Sequence, residues 1–238
     1  MCRTCRRVMP DRRQFFSLWL ASIATIAAVG EHPVLAANAT TGVTAEEAIE
    51  RLKSGNEKYV NAPQICAIDL SKQREQVVKA QTPWATILTC SDSRVLPDLV
   101  FGGVALGELF IARNAGNIAD TDIMGTIEYG AEHLGIPLIV VLGHEACGAV
   151  TAACSVVEKH QKFPGSIGAM VDAIVPAAKA VYGKPGDFVD NTVRENAKRA
   201  AEKIATHSQI VSHLIHAKKV KVLAARYDLD SGNVEFLT

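Results

Sequence analysis

Aromatic residues make up only 5% of this 238-residue chain, its formal charges at pH 7 balance, and lysine and arginine gather into no basic stripe along its body. Nucleic-acid binding needs stacking platforms and phosphate-tracking charge, so that partner class is excluded. There is no internal repeat and no low-complexity linker, which excludes a solenoid or a string of tethered modules. The apolar run from Phe15 to Gly30 falls short of the ~20 residues that cross a bilayer comfortably, so no stable membrane span is expected in a mature chain. What is present is a composition 48% hydrophobic. That is enough to bury the core of one α/β domain acting on small molecules.

The balanced charge conceals an asymmetry. Arg3, Arg6, Arg7, Arg12 and Arg13 face only Asp11 and Glu31 in the first 36 residues, leaving a mildly acidic body. A basic segment, the apolar run and then Val34-Leu35-Ala36 read as a secretory signal peptide over residues 1–36, with a single domain over 37–238. Asp11-Arg12-Arg13-Gln14-Phe15-Phe16 resembles the twin-arginine export motif, which carries proteins out already folded. A periplasmic or otherwise extracytoplasmic location is therefore expected. Cys2 and Cys5 have zinc-knuckle spacing, but no second pair accompanies them, and they are read as incidental.

Thr44 with Glu47 forms a capping box that opens an amphipathic helix, expected to stop near Gly55. A polar helix follows from about Leu70 to Ala80. Residues 84–89 are β-rich and deliver Cys90 at a strand end; 109–112 and the doubly apolar 138–142 are further strands, the last handing over at Gly143 to His144. Helical patterns cover Asp122 to His133 and Ala149 to Lys159, weak helices lie between Phe163 and Asp190, and one or two helices run from Asn191 to Ala217. A strand at 220–225 and a turn at 230–233 lead into a final strand at 234–237. The expected fold is α/β: a mostly parallel sheet of about four strands with an antiparallel C-terminal edge strand, flanked by helices.

Cys90-Ser91-Asp92-Ser93-Arg94 and His144-Glu145-Ala146-Cys147 carry the chemistry. Zinc takes Cys sulfur and His nitrogen, and a catalytic site keeps three protein ligands and one open position. Cys90, His144 and Cys147 supply that number. The His-x-x-Cys spacing is expected to place His144 and Cys147 on one helical turn, and a helix N-terminus there would favour the Cys147 thiolate. Cys154 reads as core, and the state of Cys66 is left open between a pair with Cys154 and a buried thiol.

These motifs resemble the β-class carbonic anhydrases. The likeness extends through Arg113-Asn114-Ala115-Gly116-Asn117, Ile127-Glu128-Tyr129-Gly130 and Tyr227-Asp228-Leu229, covering Thr44 to the C-terminus. It implies one Zn²⁺ per subunit on Cys90, His144 and Cys147, and Asp92 and Arg94 as a catalytic dyad beside it. Asp92 is a possible fourth ligand in a closed state. The implied reaction is reversible hydration of carbon dioxide to bicarbonate and a proton, through zinc-bound hydroxide. Gln81, Phe110 and Tyr129 match the family's substrate-binding residues, which line an apolar pocket across a dimer interface. The family thus implies a homodimer or larger homo-oligomer, with the arm from Thr44 to Asn61 lying across the partner. Some members have a second, inhibitory bicarbonate site built partly from a tryptophan; Ile87 stands at that position, so the site is not expected here. Hydrolysis of carbon disulfide or carbonyl sulfide on the same scaffold is the main alternative, and a non-catalytic zinc-stabilised scaffold is a second one.

Overall fold

A computed structural model of the chain describes residues 41–62 and 70–237, all within one compact unit, Ala36–Thr238. The leader read over residues 1–36, together with Cys2, Cys5 and Cys66, lies outside the described residues.

Five strands form one sheet: β1 (Ala85–Cys90), β2 (Leu109–Asn114), β3 (Leu138–His144), β4 (Lys221–Tyr227) and β5 (Val234–Leu237). Their order is β2-β1-β3-β4-β5, parallel through β4 and antiparallel only between β4 and β5. This is the expected architecture. The helices are α1 (Ala45–Asn61), α2 (Leu70–Val77), α3 (Pro97–Val100), α4 (Thr121–His133), α5 (Gly148–Lys159), α6 (Gly165–Val181), α7 (Phe188–His207) and α8 (Gln209–His216).

Side chains alternate across the pleat, so the buried strands feed two cores. Ile87 of β1 and Leu138, Val140 and Leu142 of β3 pack with Ala48 and Leu52 of α1 and Phe101 after α3. Leu88, Ile139 and Val141 face the other way, onto Ile127 of α4, Ala197 and Ile204 of α7 and Val211 of α8. All seven residues of β3 are buried, because helices cover both faces of a central parallel strand. A third cluster joins α5, α6 and α7 beyond the carboxyl ends of β1 and β3, and it contains Cys90 and Cys147.

The capping box at α1 forms: Glu47 N donates to Thr44 Oγ1 at 3.2 Å and Thr44 N donates to Glu47 Oε2 at 2.8 Å. The helix does not stop at Gly55. It continues to Asn61, and Gly55 serves instead as a point of close approach, where an added Cβ would lie 2.1 Å from the Phe101 carbonyl oxygen. Within its own chain, α1 packs through Ala48, Leu52 and Asn56. Likewise, the Gly/Pro-punctuated stretch read as weak helices is the single 17-residue α6, with Pro176 inside it. Burial of Val171, Ile174 and Ala178 outweighs the local cost of proline.

Asn56 ties α1 to two other elements. Its Nδ2 donates to the carbonyls of Val100 and Gly232 at 3.0 and 2.8 Å, and its Oδ1 accepts from Val234 N at 2.9 Å. Truncation leaves three backbone groups unpaired, so Asn56→Ala should destabilise the fold by about 3 kcal/mol, measured by denaturant unfolding. A change under about 0.5 kcal/mol would show that water replaces the amide without loss.

Candidate metal centre

β1 and β3 lie side by side in parallel register, with Thr89 opposite Leu142, so both strands end at the same edge of the sheet. Thr89 Oγ1 donates to the Leu142 carbonyl at 2.9 Å and clamps the two ends together. Cys90 is the last residue of β1 and His144 the last of β3. The chain then turns sharply through Ala146, at φ 51°, and Cys147 becomes the N-cap of α5. His144 and Cys147 are therefore joined by a strand-to-helix turn and do not share the expected helical turn. The helix N-terminus at Cys147 is present as expected.

The ligating atoms of Cys90, His144 and Cys147 lie within 4.8 Å of one another, and all three residues are buried. The sulfurs are 3.9 Å apart, far beyond the ~2.05 Å of a disulfide. Two thiolates on a tetrahedral zinc, each at ~2.3 Å, stand about 3.8 Å apart. His144 Nδ1 lies 2.8 Å from the Glu145 carbonyl, which can only accept, so the proton sits on Nδ1 and Nε2 presents a lone pair. That Nε2 is fully buried with no hydrogen-bond partner. An orphaned buried imidazole nitrogen beside two close sulfurs is a donor set that fits zinc.

Without a cation the thiols must share protons. Hydrogen bonding from Cys147 favours the Cys90 thiolate, and that thiolate together with burial pushes Cys147 up. A divalent cation held by Cys90, His144 and Cys147 would replace the proton and permit both thiolates. Cys90 Sγ also accepts from Gly116 N at 3.4 Å. Gly116 has φ 80°, and a Cβ there would meet Ile174 Cδ1 at 2.5 Å, so only glycine brings this N–H to the sulfur.

Asp92 and Arg94 form the bidentate pair expected of them. Arg94 Nε donates to Oδ1 at 2.9 Å and Nη2 to Oδ2 at 2.7 Å, while Arg94 N adds a bond of 3.0 Å to Oδ1. The guanidinium holds the Asp92 carboxyl well below the usual carboxylate range, against a smaller opposing effect of burial. Asp92 Oδ2 stands 3.9 Å from His144 Nε2, at the edge of the donor set.

Arg113 has a role the sequence did not reveal. Its Nε and Nη2 donate to the Cys90 carbonyl at 3.0 and 2.9 Å, and Nη2 also donates to the Asp92 carbonyl at 2.7 Å. The loop that carries both residues is thereby pinned to β2. A charge inside an otherwise apolar strand was the available signal.

Gln81, Phe110 and Tyr129 are not brought to this centre within one chain. Phe110 is opposite Thr86, near the start of β1, and Cys90 lies four residues on, roughly 13 Å along the strand. Phe110 and Tyr129 form their own cluster, ring centroids 6.3 Å apart, and Tyr129 packs on His133 at 5.3 Å. Gln81 is exposed ahead of β1. Cys154 is core as expected, its thiol 3.3 Å from Thr192 Oγ1.

A protein-family model described as carbonic anhydrase matches residues 85–234, which contain the whole donor set and the Asp92–Arg94 pair. A carbonic anhydrase of Mycolicibacterium smegmatis is 30% identical over 186 residues, 77% of this chain and 89% of that protein. The solved β-carbonic anhydrase of Coccomyxa is 25% identical with a TM-score of 0.61, covering 83% of this chain and 87% of that one. This chain belongs to the β-class carbonic anhydrases. The members of this family are lyases, carbonate dehydratases. Two tetrameric β-carbonic anhydrases from Sordaria macrospora share the fold at a TM-score of 0.61 and 20% identity, covering 81% of this chain and 95% of that one.

As purified, this β-class carbonic anhydrase should contain stoichiometric zinc by metal analysis. Cys90→Ser and Cys147→Ser should lose it and melt at lower temperature, since metal binding adds to folding free energy. Retention of full zinc by either variant would count against the assigned ligands. Asp92 titrates below its unfolded value of about 3.9, so its pairing supports the fold above that value and is lost as pH falls through the lowered one. In Arg94→Ala the titration should return toward ~3.9, followed by NMR of the side-chain carboxyl.

Proposed function

We propose that the chain catalyses the reversible hydration of carbon dioxide to bicarbonate and a proton, with one Zn²⁺ per subunit held by Cys90, His144 and Cys147. The observation that carries this reading is the Asp92 carboxylate, locked on Arg94 yet 3.9 Å from the free nitrogen of His144. Zinc with three protein ligands keeps a position for water and, as a Lewis acid, makes that water a nucleophile near neutral pH.

Two thiolates offset the ion's charge, so the protein must supply further help at that position. Asp92 is ionised over the whole physiological range and acts only as an acceptor. It would accept a hydrogen bond from the attacking hydroxide, leaving a lone pair turned toward the carbon of carbon dioxide. Arg94 keeps the carboxylate in that pose through two parallel hydrogen bonds and keeps it from the metal. Arg113 fixes the backbone from which the carboxylate projects.

The apolar part of the substrate site is incomplete in one chain. β2 is the first strand in the sheet order, and Leu96, Leu106 and Tyr129 are exposed apolar side chains. An open edge with apolar neighbours is the kind of surface that pairs with another copy. Two copies around a two-fold axis would each lend Gln81, Phe110 and Tyr129 to the other's metal centre. The relatives from Sordaria macrospora, named as tetrameric, are consistent with such assembly. Export through the twin-arginine route rests on the leader pattern at Arg12 and Arg13. It predicts that Arg12→Lys together with Arg13→Lys holds the protein in the cytoplasm on cell fractionation.

Stopped-flow measurement on zinc-loaded protein should detect carbon dioxide hydration, and Asp92→Asn should lower its rate by about 100-fold or more. Arg94→Ala should lower it comparably while zinc content stays unchanged. Sulfide release from carbon disulfide without hydration of carbon dioxide would favour the alternative hydrolase, and neither activity at alkaline pH would favour a scaffold. Sedimentation should give a dimer or a larger assembly. A monomer with the full hydration rate would overturn the shared substrate site.

A further inference from the structure

His144 is the one ligand whose aim depends on a backbone carbonyl, that of Glu145. Glu145 is anchored in turn at several points. Its N–H donates to the Tyr227 carbonyl of β4 at 2.9 Å, and its Oε2 accepts from Leu229 N at 3.0 Å. Its other carboxylate oxygen stands 3.8 Å from the Arg226 guanidinium.

Arg226 is the centre of a charge cluster. Its side chain is only 11% exposed, and it donates from Nε to Asp190 Oδ1 and from Nη1 to Asp228 Oδ2, both at 2.6 Å. Asp190 also pairs with Arg194 at 2.8 Å, and Arg194 reaches Glu235 at 2.8 Å. The cluster therefore links α7, β4, β5 and the turn that follows β3. These charges lie at the metal-bearing end of the sheet, since Arg226 is opposite Gly143 in the β3–β4 register and Tyr227 is opposite His144.

We propose that the Arg226 cluster, acting through Glu145, is a positioning device for His144: it fixes the Glu145 carbonyl and thereby the tautomer and aim of the metal-binding imidazole. The physical reason is the turn itself. Ala146 at φ 51° is a left-handed residue without glycine's freedom, so the backbone between His144 and Cys147 does not hold its shape by local preference. A guanidinium has fixed fork geometry, and anchored to Asp190 and Asp228 it offers Glu145 a cation with little freedom of its own. Neither Glu145 nor Arg226 touches the donor atoms. Both are positioning residues, in the way that groups behind a metal-bound histidine set its orientation and basicity. The Glu145 carboxylate also spans from the turn to Leu229, beyond the end of β4, so the histidine turn and the start of the β4–β5 connection are held as one piece.

The proposal rests on the zinc reading of Cys90, His144 and Cys147, and one experiment separates the two. Zinc affinity of the full chain is measured by competition with a chromophoric chelator for wild type, Glu145→Ala, Arg226→Met and Arg226→Lys, and each protein is melted with and without zinc. Glu145→Ala and Arg226→Met should bind zinc about 10- to 100-fold more weakly, with Arg226→Lys recovering part of the loss. The metal-loaded forms should lose more melting temperature than the zinc-free forms. Unchanged zinc affinity in folded Glu145→Ala overturns the positioning role and leaves the zinc reading intact. Equal loss of melting temperature with and without zinc reduces the cluster to structural ion pairs and overturns it as well. If Arg226→Met does not fold, Glu145→Ala and Arg226→Lys decide. A wild-type chain that binds no zinc overturns the zinc reading and the brace together.

Discussion

The parallel pairing of β1 with β3 is the constraint on which the rest of the structure depends. Cys90 and His144 are far apart in sequence, and they meet because two buried strands run in the same direction and end together. Thr89 Oγ1, one residue before Cys90, donates to the Leu142 carbonyl, two residues before His144, and ties the two strand ends together. A parallel pair requires a long crossover, and the crossover regions supply the covering helices and β2 with Arg113. The candidate metal centre thus sits where parallel sheets present their strand ends to ligands.

Around that pairing, the chain satisfies backbone and side-chain groups in layers. Gly116 N donates to Cys90 sulfur, Arg113 gives three hydrogen bonds to the carbonyls of Cys90 and Asp92, and the Glu145 carbonyl accepts a hydrogen bond from His144 Nδ1. His144 Nε2 is among the buried side-chain atoms left without a partner in the described residues. A buried nitrogen without a partner is costly, and here it faces two sulfurs that prefer not to keep both protons. The same arrangement that penalises the metal-free form rewards a divalent cation. Both Asp92 oxygens accept hydrogen bonds from Arg94 at the edge of this donor set.

Much of the fold was legible in the sequence because the signals were strong and local. The capping box at Thr44, the apolar run of β3 and the turn before β5 each specify an element through its own residues. Two elements were misjudged for tertiary reasons. Gly55 looked like a helix stop, but α1 needs it for approach to Phe101, and α6 looked weak because Pro176 and its glycines are offset only by burial against α5 and α7. The His144-to-Cys147 spacing suited a helical turn equally well, and only the positive φ of Ala146 distinguishes the turn that forms.

The sequence by itself determined the chemistry on offer: two thiols, an imidazole, a carboxylate and a guanidinium in motifs that resemble one family, because residue types and short spacings carry that information. Only the tertiary structure decided that these groups meet within a few ångströms, that His144 presents Nε2, and that Arg113 holds the Cys90 and Asp92 carbonyls, since each depends on strand register and on contacts between distant segments. It also decided that Phe110 and Tyr129 gather at the other end of the strands, because a strand of fixed rise holds Phe110 away from Cys90 in its own chain.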